Sequence, residues 1–199
     1  MANIKNTTGT EIDLVKRLEQ KFFDLNPTKQ KRNTDESMDW FRNFISKNYK
    51  SVRLPRLLQD SNLVTNKFNP GDMVLFQYDP KWKDKLNIYD TLPLVIPCGA
   101  YTSKQGVPIM VGLNFHYLAP VIRAKALMAI INLKAKKSLS WSILRKMSEV
   151  KFFEHALHSY RLDHIKSKFV NIPDESFEIV AFLPTQRWKG GTNKDAWNM

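Results

Sequence analysis

The amino-acid sequence predicts an α+β fold in which a small bent antiparallel sheet, or an SH3-like barrel, carries a helical insertion and follows two N-terminal helices. Three observations lead to this prediction. Apolar residues recur at helical spacing before residue 46, short β-rich runs alternate with turn signals in residues 70–118, and helical spacing returns after Pro120. The pattern divides the chain into N-terminal helices with a basic arm, residues 1–69, and an α+β core domain, residues 70–199.

The N-terminal region is predicted to form two amphipathic helices. Residues 12–23 and residues 40–45 each carry an apolar stripe at helical spacing, and Pro27 separates the two. Residues 47–69 mix short apolar pieces with Pro55, a pattern that fits either an extended arm or an ordinary loop.

Three short strands are predicted in residues 70–118. Each is a compact run of β-branched, aliphatic or aromatic residues bounded by Pro, Gly or Asp at a turn, and they cover residues 73–78, 94–96 and 109–115. At the end of the third run, Phe115 and Tyr117 alternate with Asn114 and His116 as neighbours along a strand do. The sequence therefore predicts antiparallel strands joined by tight turns.

The predicted helical insertion covers residues 119–170. Pro120 at a first helical position opens a helix that is apolar nearly all round, and Ser138 or Ser140 caps a second helix. Apolar residues at helical spacing predict further helical segments over residues 152–160 and 162–169. A run rich in β-branched and aromatic residues then predicts a closing strand over residues 177–184, which would join the sheet.

The composition is typical of a folded protein with a polyanionic partner. The chain has 199 residues, 43% hydrophobic and 12% aromatic, which argues against disorder. No apolar run approaches the roughly 20 residues that cross a bilayer, so no membrane partner is expected. Lys and Arg outnumber Asp and Glu by 31 to 19, a net charge of +12 that favours nucleic acid. A lone cysteine, Cys98, fits assembly in a reducing cytoplasm.

The positive charge lies in the flanks of the chain. Residues 1–69 carry a net charge of +5, residues 70–118 of 0 and residues 119–199 of +7. Phosphate contact needs only loosely placed cations, and no helix-turn-helix or zinc-finger pattern is present, so sequence-independent DNA contact is expected. An acidic partner protein would explain the same charge. The predicted DNA-binding residues are Lys134, Lys136, Lys137, Arg145, Lys146, Lys151, Arg161, Lys166 and Lys168, with Arg161 and Lys168 on one helical face.

No catalytic, metal or cofactor site is predicted. The sequence has no glycine-rich phosphate loop, and His155 and His158, three residues apart on a predicted helix, lack the further ligands of a zinc site. Asp72 and the motif Asp79-Pro80-Lys81 superficially offer the carboxylates of a magnesium-dependent nuclease, but Pro80 interrupts the motif and turns favour both aspartates. Turn formation is the better interpretation.

Three short sequence motifs follow one another in the middle of the chain. They are Phe76-Gln77-Tyr78-Asp79-Pro80-Lys81, Tyr89-Asp90-Thr91-Leu92-Pro93-Leu94-Val95-Ile96-Pro97 and Gly112-Leu113-Asn114-Phe115-His116-Tyr117-Leu118, the last followed by Pro120 and Arg123-Ala124. Together they resemble the DNA end protector proteins of large contractile-tailed bacteriophages, over about residues 70–188. The aromatic and aliphatic residues of these motifs are interpreted as sheet core, and His116 as a hydrogen-bonded residue at a sheet edge.

The resemblance implies a late-acting virion protein, present in few copies and assembled in the host cytoplasm, in the capsid interior or the portal and neck region. Its expected partners are the ends of double-stranded DNA, bound without sequence preference, and phage portal, neck or head proteins. The expected function is non-enzymatic: the protein protects DNA ends from host exonuclease and helps complete the head or head–tail junction. Two alternatives stay open, a purely structural connector bound to an acidic portal or neck protein and a magnesium-dependent nuclease.

Overall fold

The computed structural model describes residues 61–182 and 185–199, so the two predicted N-terminal helices and most of the basic arm lie outside the described residues. The strands are β1 (Val64–Thr65), β2 (Met73–Leu75), β3 (Tyr89–Asp90), β4 (Leu94–Thr102), β5 (Pro108–Asn114), β6 (Leu157–Arg161), β7 (Phe169–Ile172) and β8 (Trp188–Lys189). The α-helices are α1 (Pro120–Ala135), α2 (Trp141–Ser148), α3 (Phe177–Phe182) and α4 (Asn193–Trp197). Single 3-10 segments span Ser61–Leu63, Lys83–Lys85, Phe115–Tyr117, Lys151–Ala156, Leu162–His164 and Asp174–Ser176.

Six strands form one antiparallel sheet in the order β1-β7-β2-β4-β5-β6, and β3 pairs with β8 in a separate two-stranded sheet. The predicted antiparallel sheet is confirmed, and over the described residues it is open rather than a closed barrel. Its first edge strand, β1, comes from the end of the predicted basic arm.

The longest ladder joins β4 to β5 and explains why β4 runs six residues past its predicted end at residue 96. Pro97 lies inside β4, where its missing N–H would break a regular ladder. The register shifts between Pro97 and Gly99, and such a bulge is a position at which a strand accommodates proline.

The two faces of the sheet bury different clusters because side chains alternate along each strand. One face holds Met73, Leu75 and Ile96, which join the buried residues of α1, α2 and α3 in the larger core. The opposite face holds Val74, Phe76, Val95, Met110, Tyr160 and Phe169. The rings of this second cluster meet edge to face, at 5.2 Å between Phe76 and Phe169.

The first two helices of the insertion are confirmed. Pro120 stands at the start of α1, where its absent N–H is of no consequence, and α1 buries residues on several sides, as its apolar sequence predicts. Ser140, rather than Ser138, caps α2: its hydroxyl accepts the Ile143 N–H at 3.4 Å.

The helices predicted over residues 152–160 and 162–169 are wrong. These residues form short 3-10 segments that alternate with β6 and β7, because β6 pairs with β5 and β7 pairs with β2. Arg161 therefore ends a strand and Lys168 precedes one, so the two do not share a helical face.

Two further local predictions are wrong. Residues 177–182 of the predicted closing strand form α3, in which Phe177, Val180 and Ala181 are buried at helical spacing against the core. Phe115 and Tyr117 are buried, as predicted, but they belong to a 3-10 turn with His116, and all three residues are buried. Strand alternation does not apply there.

Candidate nucleic-acid interface

Five exposed cations follow the end of α1. Their side chains make no ion pair or hydrogen bond with any other residue in the described ranges, and they are Lys136, Lys137, Arg145, Lys146 and Lys151, called here the α1–α2 cations. Lys137, two residues past the end of α1, has a left-handed backbone conformation with φ 53°. The Ser138 N–H donates to the Leu133 carbonyl oxygen, which closes the end of the helix. This turn places the lysine pair between α1 and α2, where it is open to solvent.

Two of the predicted DNA-binding residues are already bound within the protein. The Lys134 ammonium lies 2.5 Å from Asp174 Oδ1 and 3.3 Å from the Gly71 carbonyl oxygen. Arg161 makes a forked contact with Asp163, at 3.0 Å and 2.6 Å, which holds the pKa of that carboxyl below its usual value. Both cations support the fold, and their charge is partly neutralised before any ligand arrives.

Lys166 and Lys168 lie in the loop that leads into β7, and both are exposed. The loop is fixed to the chain beyond β2: the Lys166 N–H donates to the Gln77 carbonyl at 2.9 Å, and the Ser167 hydroxyl accepts the Gln77 N–H at 2.9 Å. These contacts fix the loop that carries the two lysines at one corner of the sheet.

Phe68 connects this corner to α2. Its ring packs edge to face on Trp141 at 6.1 Å and on Phe169 at 5.6 Å between centroids. Trp141 lies one helical turn before Arg145, and Phe169 follows Lys168 directly. The structure thus brings the 166–168 loop and the start of α2 to neighbouring parts of one surface.

An exposed cation beside Phe68 was not among the predicted residues. Lys67 precedes Phe68 in the chain and its side chain is exposed. In the sequence Lys67 lies within the predicted N-terminal arm, and the adjacent aromatic residue is the signal that could have identified it.

A buried chain of hydrogen bonds joins Asp90, His116 and Thr185. Asp90 Oδ2 lies 2.5 Å from His116 Nδ1, and His116 Nε2 lies 2.6 Å from the Thr185 hydroxyl. Burial would raise the pKa of Asp90, but His116 and the N–H groups of Arg187 and Leu92 outweigh it and lower that pKa. The carboxylate is therefore ionised and fully hydrogen-bonded.

The order carboxylate, imidazole, hydroxyl is also that of a nucleophilic triad, but here it joins segments of the fold. His116 is 0% and Thr185 2% exposed, so a substrate has no access to the hydroxyl. His116 was expected at a sheet edge; it is hydrogen-bonded but fully buried. The indole N–H of Trp197 donates to the backbone carbonyl oxygen of His116 at 3.1 Å. The network ties the C-terminal segment to the sheet.

The aspartates considered for metal chemistry have structural partners. Asp72 accepts the Asn69 N–H at 2.6 Å in a turn, and Asp79 lies 3.0 Å from the Lys83 ammonium. His155, in a 3-10 segment, contacts the Tyr117 carbonyl oxygen at 3.0 Å, whereas His158 lies in β6. Within residues 61–182 and 185–199, no three His, Cys, Asp or Glu side chains are grouped as ligands of a metal ion.

A family model described as Phage T4 terminal DNA protecting protein matches residues 2–197 of the chain. No curated protein and no solved structure matches the chain. None of the helices in the described ranges has the length and hydropathy of a membrane span.

Proposed function

The chain belongs to the Phage T4 terminal DNA protecting protein family, and on this premise we propose that it protects double-stranded DNA by occupying each end through its exposed lysine and arginine side chains. Occupancy is sufficient for protection, because an exonuclease that must load on a terminus is excluded while the site is filled. The action requires no bond to be made or broken by the protein.

The observation that supports this proposal best is that the α1–α2 cations have no protein partner among the described residues. A cation that already has a carboxylate partner must give it up before it can meet a phosphate, whereas a solvated one only releases counterions from the DNA. Residues 136–151 carry five basic side chains and one acidic side chain, Glu149. Lys134 and Arg161, with their aspartate partners, are better assigned to the fold than to the interface.

The contacts of Phe68 support a binding surface that extends beyond α2. Through Trp141 and Phe169 they join the start of α2 to the loop carrying Lys166 and Lys168. Lys67 adds a further exposed cation beside this junction. A duplex lying along this surface would meet cations from three separate segments.

We place the protein where packaged DNA ends, in the capsid interior or the portal and neck region of the virion. There it would help complete the head or the head–tail junction together with a portal, neck or head protein. The same exposed cations would suit an acidic surface on that partner.

Protection of linear duplex from a processive exonuclease tests the proposal. The full-length protein should slow degradation in proportion to occupancy, and magnesium with protein alone should release no products. Competition by closed circular DNA of the same sequence measures how much of the binding depends on a free end.

The Asp79→Asn variant is the matched control for enzymatic activity, because Asp79 is the candidate metal ligand that pairs with Lys83. The variant should protect as the wild type does. Magnesium-dependent cleavage that disappears in Asp79→Asn would show the protein to be a nuclease, and failure to bind linear DNA at low salt would favour the structural connector.

A further inference from the structure

A cleft of about 440 Å³ lies outside the surface described above. It is formed by the β5–β6 edge of the sheet and by the chain between Tyr78 and Asp90, and its volume is in the usual range for small-molecule sites. Six ring-bearing side chains line it: Tyr78, Trp82, Tyr89, Tyr117, His158 and Tyr160. Such a wall offers flat apolar surfaces with polar edges.

An exposed tryptophan flanked by cations forms the rim of the cleft. Trp82 is 58% exposed, and the ammonium groups of Lys81 and Lys85 each lie 5.1 Å from the centroid of its ring. Trp82 therefore presents part of its indole ring to solvent beside the cleft. The combination of an indole face and two ammonium groups matches a base and its phosphate.

The His158 ring contributes uncharged aromatic surface to the cleft. It lies 4.2 Å from the ring of Tyr117, and its buried Nε2 has no hydrogen-bond partner in the described part of the chain. Burial lowers the pKa of His158 to about 4, so the ring is neutral near pH 7. The lining of the cleft therefore adds no positive charge from this residue beside an uncharged base.

We propose that this cleft receives the unpaired base of a terminal nucleotide, stacked on Trp82, while Lys81 and Lys85 move from above the indole ring to contact the phosphate. The inference rests on the proposed function, that the chain binds DNA ends. A base inside a duplex must first be unstacked and unpaired at considerable cost, whereas a terminal base frays easily. Because every base has a stacking face, the cleft binds ends without reading sequence.

The cleft would give the protein a preference for DNA ends, which the exposed cations do not provide. Phosphates are the same at an end and in the interior of a duplex, so cations alone give affinity without preference for an end. An aromatic cleft that accepts only a freed base gives that preference.

Two duplexes with equal numbers of phosphates provide the test. One carries a single unpaired 3′ nucleotide, and in the other this nucleotide is abasic. The full-length wild type should bind the first at least ~5-fold more tightly, the low end of the effect of stacking one base on an aromatic side chain. Trp82→Ala should bring the ratio of the two affinities to about one while still binding both duplexes, because Trp82 is largely exposed and its loss should not unfold the protein.

Tyr101→Ala is the matched control. Tyr101 is 51% exposed in β4 and does not line the cleft, so its loss should leave the ratio of affinities unchanged. A wild-type ratio near one, or a ratio that Trp82→Ala does not change, would overturn the base-capture proposal. Failure of the wild type to bind either duplex at low salt would instead contradict the proposed end-binding function.

Discussion

Removing two of the α1–α2 cations should make DNA binding measurably less sensitive to salt. Each cation that neutralises a phosphate contributes about −0.9 to the slope of log affinity against log salt concentration. Contacts from all five would contribute about −4.5 to this slope, so a fourfold rise in salt would weaken binding about 500-fold through these contacts. In the Lys136→Gln/Lys137→Gln variant this contribution should fall to about −2.7, and the same rise in salt should weaken binding about 40-fold through the contacts that are left.

Lys136 and Lys137 suit this test because, within residues 61–182 and 185–199, neither side chain has a partner whose loss would disturb the fold. Lys134 is left intact: its ammonium is bound to Asp174 and the Gly71 carbonyl oxygen, so replacing it would mix a folding defect with a binding defect. Titration of a fluorescent linear duplex by anisotropy, across a salt series, gives both slopes.

The Lys104→Gln/Lys189→Gln variant is the control. It removes the same charge at two exposed positions outside residues 136–151, and its slope should stay near that of the wild type. If both double variants changed the slope equally, net charge rather than phosphate contact would govern affinity. If Lys136→Gln/Lys137→Gln left the slope unchanged, this surface would not be the interface.

Two further predictions concern stability. Burial lowers the pKa of His158 to about 4, against 6.5 in an unfolded chain, so the unfolded state binds a proton first and stability falls as pH decreases below 6.5. Between about pH 7 and pH 5, His158 should lower the free energy of unfolding of the wild type by about 2 kcal/mol. Urea unfolding at both pH values should therefore show a loss in the wild type that is larger by this amount than the loss in His158→Gln. Equal losses in the two proteins would contradict the prediction. Gly190 has φ +83° and a Cβ there would overlap the Asn87 carbonyl oxygen, whereas Gly106, at φ +76°, has open space around it. Gly190→Ala should therefore cost about 2–4 kcal/mol and Gly106→Ala about 1 kcal/mol in thermal melts; equal costs would exclude the overlap.

Elements with local signals could be predicted from the sequence. Pro120 marks the start of α1 and Ser140 caps α2, and in each case the residues that determine the boundary are adjacent to it. The predicted strands near β2, β4 and β5 are confirmed for the same reason, since turn residues bound each of them.

Elements that depend on distant partners could not be predicted. The apolar pattern of residues 152–160 fits a helix, yet Leu157 lies opposite Leu113 in the sheet, 44 positions earlier in the chain. The β-branched residues near Val180 favour a strand on propensity alone, but burial at helical spacing against the core outweighs propensity. In both regions tertiary contacts determined the outcome.

The candidate site also depends on residues that are far apart in the sequence, so it could be predicted only in part. Composition identified the basic segment, but whether a cation is free depends on residues far from it: the partner of Lys134 is Asp174, 40 positions away. The surface around Phe68 and the Trp82 cleft are each assembled from several segments, so no spacing in the sequence could indicate them.

The buried Asp90–His116 contact joins two segments that line the cleft. Tyr89 and Tyr117, which line the cleft, are the chain neighbours of Asp90 and His116, and these two side chains lie 2.5 Å apart in the interior. A short, buried hydrogen bond therefore ties together the segments that carry the two tyrosines. Segments fixed in advance lose little conformational entropy when a ligand enters, which strengthens binding without any added contact. If the cleft receives a terminal base as proposed, the residues that resemble a catalytic triad contribute to the binding of DNA ends indirectly, by joining these two segments.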